Sequence, residues 1–193
     1  MKILQISGSG RNCGKTTLGC AILAAFPRLR WIAVKLTPHS YAEAATQSDN
    51  LVAGKDTERY LAAGAEQTFL LTSPLRVEFL AEAAKHTDGL LLESGQPVPV
   101  ADFAVLHLAV APDCPAFWKS EFLRRLAAGT PQQPDALVLH VDRDSAHKNT
   151  AFHPEMSHYL PVHLKIFPAL KSALLTPALL DEVGRFLIGK VKG

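Results

Sequence analysis

The sequence predicts an α/β protein of three layers, a mostly parallel central sheet flanked by helices. Two observations carry that expectation. Short apolar runs with the reach of strands alternate with longer stretches whose apolar residues recur at helical spacing, the pattern of strand–helix–strand crossovers. The first of these runs, Ile3-Leu4-Gln5-Ile6, also passes through a glycine-rich turn, Ser9 to Gly14, directly into a helix opening on Lys15-Thr16-Thr17. A chain of 193 residues suffices for one well-packed domain, so residues 1–193 are expected to form a single unit.

Taken in order, the first helix shows an apolar stripe of Leu18, Ala21, Ile22, Ala25 and Phe26. Trp31 to Leu36 reads as a second strand. Residues 38–55 turn polar and small and read as a long loop with a helical turn around Tyr41 to Thr46, a length usually tied to function or motion. Asp56 to Ala63 forms a short helix stopped by Gly64. Thr68 to Leu71 is a third strand. Ser73-Pro74 supplies an N-cap and a first-position proline for a helix facing inward through Val77, Leu80 and Ala84. Gly89 to Glu93 is a fourth, wholly apolar strand ending on a carboxylate, and Phe103 to Val110 a fifth. Trp118, Phe122 and Leu126 mark the next helix, Ala136 to Leu139 a sixth strand, and Val162 to Phe167 a seventh. Thr176-Pro177 opens the last helix, with Leu179, Val183, Phe186 and Leu187 inward. Strand order cannot be read from one sequence.

The turn after the first strand has the setting of a phosphate-binding P-loop. Backbone N–H groups of such a turn point inward at phosphate oxygens, and the helix N-terminus adds partial positive charge. Gly10, Arg11, Asn12, Cys13, Gly14, Lys15, Thr16 and Thr17 are the residues expected to hold a nucleoside triphosphate. Lys15 reaches the β- and γ-phosphates in this reading, and the Thr16 hydroxyl holds Mg²⁺. One departure is visible: the strict pattern places glycine or alanine at position 9, where this chain has serine between two glycines.

Composition limits the alternatives. Hydrophobic residues make up 48% and charged ones 20%, the balance of a folded domain. A net charge of +2 argues against an extended nucleic-acid surface. No apolar run approaches the ~20 residues of a membrane span, and Met1-Lys2 leads into a strand without a signal-peptide pattern. The 3 cysteines (Cys13, Cys20 and Cys114) have no metal-ligand spacing and cannot all pair, so the expectation is a reduced, cytoplasmic protein.

A P-loop needs a further carboxylate to hold or orient its metal, commonly at the end of an apolar strand. Glu93 is that candidate, followed by a turn at Ser94-Gly95; the alternative is a solvated strand-end glutamate. Asp56 either approaches the metal and γ-phosphate or caps its own short helix. Lys15, Glu93 and Asp56 are thus the candidate catalytic residues, and Thr16 and Glu93 the candidate metal residues. Lys35 closes the second strand, either facing the nucleotide edge or simply exposed. His147, His153, His158 and His163 lack metal-site spacing and read as surface or structural. Cys13 reads as a small loop residue, with a regulatory thiol as the alternative. Asp142 or Asp144 could pair with guanine N–H groups or cap a loop, and nothing separates GTP from ATP.

Three blocks resemble the MobB-type family of molybdopterin-guanine dinucleotide biosynthesis. They are Gly14-Lys15-Thr16-Thr17-Leu18, the stretch from Gly54-Lys55-Asp56-Thr57-Glu58-Arg59 to Ala63-Gly64-Ala65, and Leu92-Glu93-Ser94-Gly95. The likeness covers roughly residues 1–100. It implies a three-layer P-loop NTPase fold, GTP binding with Mg²⁺, slow GTPase activity and a homodimer. It also implies an adaptor role beside the guanylyltransferase that attaches GMP to molybdopterin, with Lys15 and Thr16 on phosphate and Mg²⁺ and Glu93 near the metal. The chain departs from the family in its stretch after the second strand, Lys35-Leu36-Thr37-Pro38-His39, and in a C-terminal half without a family block. The alternative activity is an ATP-dependent small-molecule kinase or synthetase, with Pro38 to Lys55 as its lid.

Overall fold

The computed structural model describes residues 1–37, 55–72, 74–94, 103–113, 119–126, 134–141 and 164–189. Seven strands form one sheet: β1 (Lys2–Gly8), β2 (Trp31–Thr37), β3 (Gln67–Thr72), β4 (Gly89–Ser94), β5 (Ala104–Pro112), β6 (Ala136–Val141) and β7 (Lys165–Leu170). Among the described residues five helices accompany them: α1 (Lys15–Ala25), α2 (Lys55–Ala62), α3 (Val77–His86), α4 (Ser120–Leu126) and α5 (Pro177–Ile188). The spatial order is β3-β2-β4-β1-β5-β6-β7, and every pairing is parallel. The expected "mostly parallel" sheet is therefore wholly parallel among the described strands. From β1 the chain runs outward to β2 and β3 on one side, and later to β5, β6 and β7 on the other. That reversal sits at the carboxyl end of β1, where open α/β sheets place their ligands.

Side chains alternate between the faces with a period of two. On one face Leu4, Ile6, Ala33, Leu91, Leu108 and Val110 pack beneath Leu18, Ile22 and Leu23 of α1, Tyr60 of α2, and Leu179, Val183 and Leu187 of α5. On the other, Ile3, Ile32, Val34, Leu90 and Leu92 meet Leu80 and Ala83 of α3, while Ala109, Ala111, Leu137 and Leu139 meet Phe122 and Leu126 of α4. Because both faces are covered, β4 is buried along its whole length, which is why its sequence is continuously apolar up to Glu93.

Several local expectations shift. The inner face of α1 comprises Leu18, Gly19, Ile22 and Leu23, while Ala25 is exposed, because α1 packs against α2 as well as the sheet. Helix α3 starts at Val77, after an extended Arg76, and Pro74 lies ahead of it. It buries Leu80 and Ala83, leaving Val77 67% exposed, so reach to the sheet set its phase and not the Ser-Pro signal. β7 runs past Phe167 through Pro168; a sheet edge tolerates a missing N–H there. In α5, Thr176 caps the helix by accepting from the Leu179 N–H at 3.4 Å, as expected. The helical turn expected around Tyr41 to Thr46, together with Ser73, Trp118 and residues 162–163, lies outside the described residues. Among the described residues no helix is long and apolar enough to cross a membrane.

The amino ends of β1, β2 and β4 are tied by one ion pair. Asp88 accepts from the Arg30 backbone N–H at 2.9 Å and from its guanidinium at 3.0 and 3.2 Å, and the Asp88 carbonyl accepts from the Lys2 N–H at 3.2 Å. The Arg30 guanidinium holds the Asp88 carboxyl below its ordinary range. Its stabilisation is therefore complete above the unfolded carboxyl pKa of about 3.9 and is lost as pH falls through the lower folded value. Asp88→Asn should lower the melting temperature by about 2 °C at pH 7, and the gap from wild type should close in scans below about pH 4.

Candidate functional site

β1 ends in a turn whose geometry is imposed by its neighbours. The Ser9 N–H donates to the Val110 carbonyl at 3.0 Å, continuing the β1–β5 ladder, and the Ser9 carbonyl accepts from the Lys119 N–H at 3.2 Å. Ser9 is buried, so the departure from the strict pattern sits inside the fold and not at the mouth of the loop. The position that cannot carry a side chain is its neighbour: a Cβ on Gly8 would lie well inside contact with Cys13 Sγ, and 2.9 Å from the Val110 carbonyl oxygen. Beyond it, Asn12 (φ 58°) and Gly14 (φ 99°) are left-handed, a conformation that asparagine and glycine tolerate. Left-handed residues at such spacing turn successive N–H groups into an anion-binding nest.

The nest opens onto α1, whose first turn carries no acidic residue and whose start has no side-chain cap. Its N-terminal donors and dipole are thus left to an outside anion. Lys15 donates to the Gly10 carbonyl at 2.9 Å and lies 3.6 Å from Cys13 Sγ, its ammonium laid across the loop. Arg11 and Asn12 are exposed, whereas Cys13 is buried. From β6, the buried His140 donates from Nε2 to the Cys13 carbonyl over 3.0 Å, which places the proton on that nitrogen.

Register brings the carboxylate alongside. Glu93 at the end of β4 pairs with Ile6 of β1 and Lys35 of β2, so it lies on the α1 face next to the loop. It is only 3% exposed. Its Oε2 accepts from the Thr16 hydroxyl at 2.8 Å and from the Tyr60 hydroxyl, while Oε1 lies 3.6 Å from Lys35 Nζ. Lys35 in turn donates to Asp56 Oδ2, Asp56 Oδ1 is 3.8 Å from Arg59, and Arg59 donates to the Thr17 hydroxyl at 3.3 Å.

The electrostatics follow from these contacts. Burial alone would lower the Lys35 pKa, but the Asp56 hydrogen bond and the Glu93 charge outweigh it and raise the ammonium above its ordinary value. Burial likewise opposes ionisation of Asp56, yet Lys35 holds that carboxyl below its usual range. For Tyr60, burial and then the Glu93 charge push the phenol well above the ordinary tyrosine range, keeping it a donor.

The structure thus brings Thr16, Glu93, Asp56 and Lys35 together, while Lys15, next to Thr16 in the chain, lays its ammonium on the Gly10 carbonyl. Glu93 is a buried carboxylate hydrogen-bonded through Oε2 and not a solvated strand end. Asp56 lies inside the first turn of α2 and bonds Lys35 across to β2. The sequence reading does not single out Tyr60, Arg59 or His140 for a role, although Tyr60 follows Asp56 by four residues and so shares its helix face. Asp142, Asp144, Cys114 and the four histidines from His147 to His163 lie outside the described residues.

No protein-family model matches this chain, and no curated protein matches it. Among solved structures, the chain is similar to HypB from Helicobacter pylori in complex with nickel, with a TM-score of 0.54 and 16% identity over 97% of this chain and 86% of that one. At that identity the likeness shows the fold alone, and with the observed sheet it establishes the α/β P-loop NTPase-like architecture.

The His140 contact makes a local prediction. His140→Ala removes a buried donor and leaves the Cys13 carbonyl unpaired, which should destabilise the protein by about 1–3 kcal/mol. Native-state hydrogen exchange should show the Leu18 amide, which donates to the Gly14 carbonyl, losing more protection than those of β4.

Proposed function

We propose that this chain is a nucleoside triphosphate-binding protein, one domain over residues 1–193, whose site is the loop from Gly10 to Thr17. The observation that carries the reading is Thr16, first turn of α1, bonded to the buried Glu93 at 2.8 Å, while its chain neighbour Lys15 lays its ammonium across the loop. A triphosphate in the nest meets backbone donors, the α1 dipole and Lys15, which leaves the Gly10 carbonyl for the β- and γ-phosphates.

Mg²⁺ fits these residues, since Thr16 and Glu93 offer the hard oxygen donors it prefers. Bound there, it supplies neutralisation of phosphate charge. The Thr16 hydroxyl directs its hydrogen to Glu93 and keeps its lone pairs for the cation. Lys35, paired with Asp56, and Arg59, beside Thr17, line the approach from β2 and α2 and add positive charge near the phosphates.

Within that class, the resemblance of the three blocks favours a GTP-binding adaptor with slow GTPase activity in molybdenum cofactor assembly. In this reading it is a cytoplasmic homodimer that assists a molybdopterin guanylyltransferase partner. A second reading, an ATP-dependent kinase or synthetase of cofactor biosynthesis, draws on Lys35, a cation held within reach of an acceptor's anionic group. Thermal shift with ATP, GTP and their diphosphates, each with Mg²⁺, separates them. A ligand at about 100 times its Kd adds about 2.7 kcal/mol. Preference for GTP with slow turnover supports the adaptor; ATP turnover of about 1 s⁻¹ or faster with an acceptor supports the kinase.

Two substitutions test the assignment of roles. Lys15→Ala should weaken triphosphate binding by calorimetry at least about tenfold, or about 1.4 kcal/mol, with the melting temperature of the free protein held; unchanged affinity refutes the site. Glu93→Gln should lower Mg²⁺-dependent hydrolysis about 10–100-fold while affecting metal-free nucleotide binding less. Loss of folding would instead mark the carboxylate as structural.

A further inference from the structure

The partners of Glu93 are unequal. Thr16 belongs to the loop and Lys35 carries a charge, but Tyr60 is a neutral donor brought from a separate helix. It is fully buried, with its ring in the core between α1 and the sheet. Gly19 makes that approach feasible: a Cβ there would stand 2.8 Å from Tyr60 Cε1 and 3.2 Å from its hydroxyl. Two facing elements are therefore shaped around one phenol, whose hydroxyl ends on Glu93 Oε2.

We infer that Tyr60 is a positioning residue for the Mg²⁺ site, locking the Glu93 carboxylate in the orientation that receives the Thr16 hydroxyl. The inference rests on the nucleotide-binding reading above and deepens it. A carboxylate oxygen has about two acceptor sites, and those of Oε2 go to Thr16 and Tyr60. Oε1 faces the Lys35 ammonium at 3.6 Å, longer than a good charged hydrogen bond. Without the phenol, the carboxylate is free to turn toward Lys35 and strengthen that pair. Thr16 then loses the Glu93 oxygen as its acceptor, its hydroxyl turns toward Asp56, the other carboxylate within its reach, and its lone pairs no longer present the same geometry to a cation. Tyr60 does this without touching nucleotide or metal, so its effect belongs to metal dependence and not to phosphate affinity.

Tyr60→Phe removes the hydroxyl and keeps the ring. Calorimetry with β,γ-imido analogues of GTP and ATP, in EDTA and over a Mg²⁺ series, reads both quantities. The half-saturating Mg²⁺ concentration should rise about tenfold, the scale of lost outer-shell support, against less than a twofold change in EDTA. Equal shifts in the two conditions, or no shift in Mg²⁺ dependence, overturn the positioning role alone. Wild-type protein that binds neither analogue, or binds without regard to Mg²⁺, overturns both this role and the reading beneath it. If Tyr60→Phe does not fold, wild-type protein labelled with [¹³Cζ]tyrosine decides. The chain has 3 tyrosines, so Tyr41→Phe and Tyr159→Phe assign the Tyr60 signal. That signal should move when Mg²⁺ is added to the analogue complex, and a stationary signal overturns the role.

Discussion

A carboxylate 3% exposed at the end of an apolar strand must be satisfied on all sides, and much of the local architecture answers that demand. β4 lies between β1 and β2, so Glu93 has no route to solvent along the sheet. Its two oxygens instead take the first turn of α1 through Thr16, the helix α2 through Tyr60, and the end of β2 through Lys35. The ammonium then needs its own counter-charge and finds it in Asp56, one turn before Tyr60 on the same helix. α2 is thereby docked by an aromatic anchor and an ion pair that both lead back to one residue. Neutralising or deleting one member of such a network costs more than any single bond suggests, because its partners, buried or half-buried, are left unpaired.

The loop is held by different means. It has few side-chain contacts and depends on what lies beneath: the carbonyl of Val110, the imidazole of His140, and the absence of a Cβ at Gly8. Serine at position 9 is tolerated because that residue points into the fold as a continuation of the β1–β5 ladder. The close backbone approach that a glycine normally provides is met one position earlier. This arrangement holds the turn at the reversal of strand order, with the start of α1 behind it and the Lys15 ammonium laid across it onto the Gly10 carbonyl.

The structural likeness to HypB from Helicobacter pylori, at 16% identity, speaks to the scaffold. What the scaffold is used for depends on residues around the loop. The Lys35, Asp56 and Arg59 group gives this site a set of alternating charges on its β2–α2 side, joined to the start of α1 through Thr17. An adaptor and a kinase differ in what else reaches that side.

The sequence by itself determined the layer architecture, the glycine-rich turn between β1 and α1 and most elements, since strand period, helical stripe and turn chemistry are local properties of the chain. It was also enough to select Glu93, because a carboxylate ending a wholly apolar strand is conspicuous in one dimension. Strand order, the inner faces of α1 and α3, and the late start of α3 were decided by tertiary packing. A helix turns toward whatever surface it can bury, and the Ser-Pro signal before α3 could not outweigh Leu80 and Ala83 against the sheet. Tyr60 and His140 became functional candidates only in three dimensions. Each acts on a partner at least 33 residues away, Tyr60 on Glu93 and His140 on Cys13. Those meetings are made by parallel register and crossover, which no local pattern in the chain encodes.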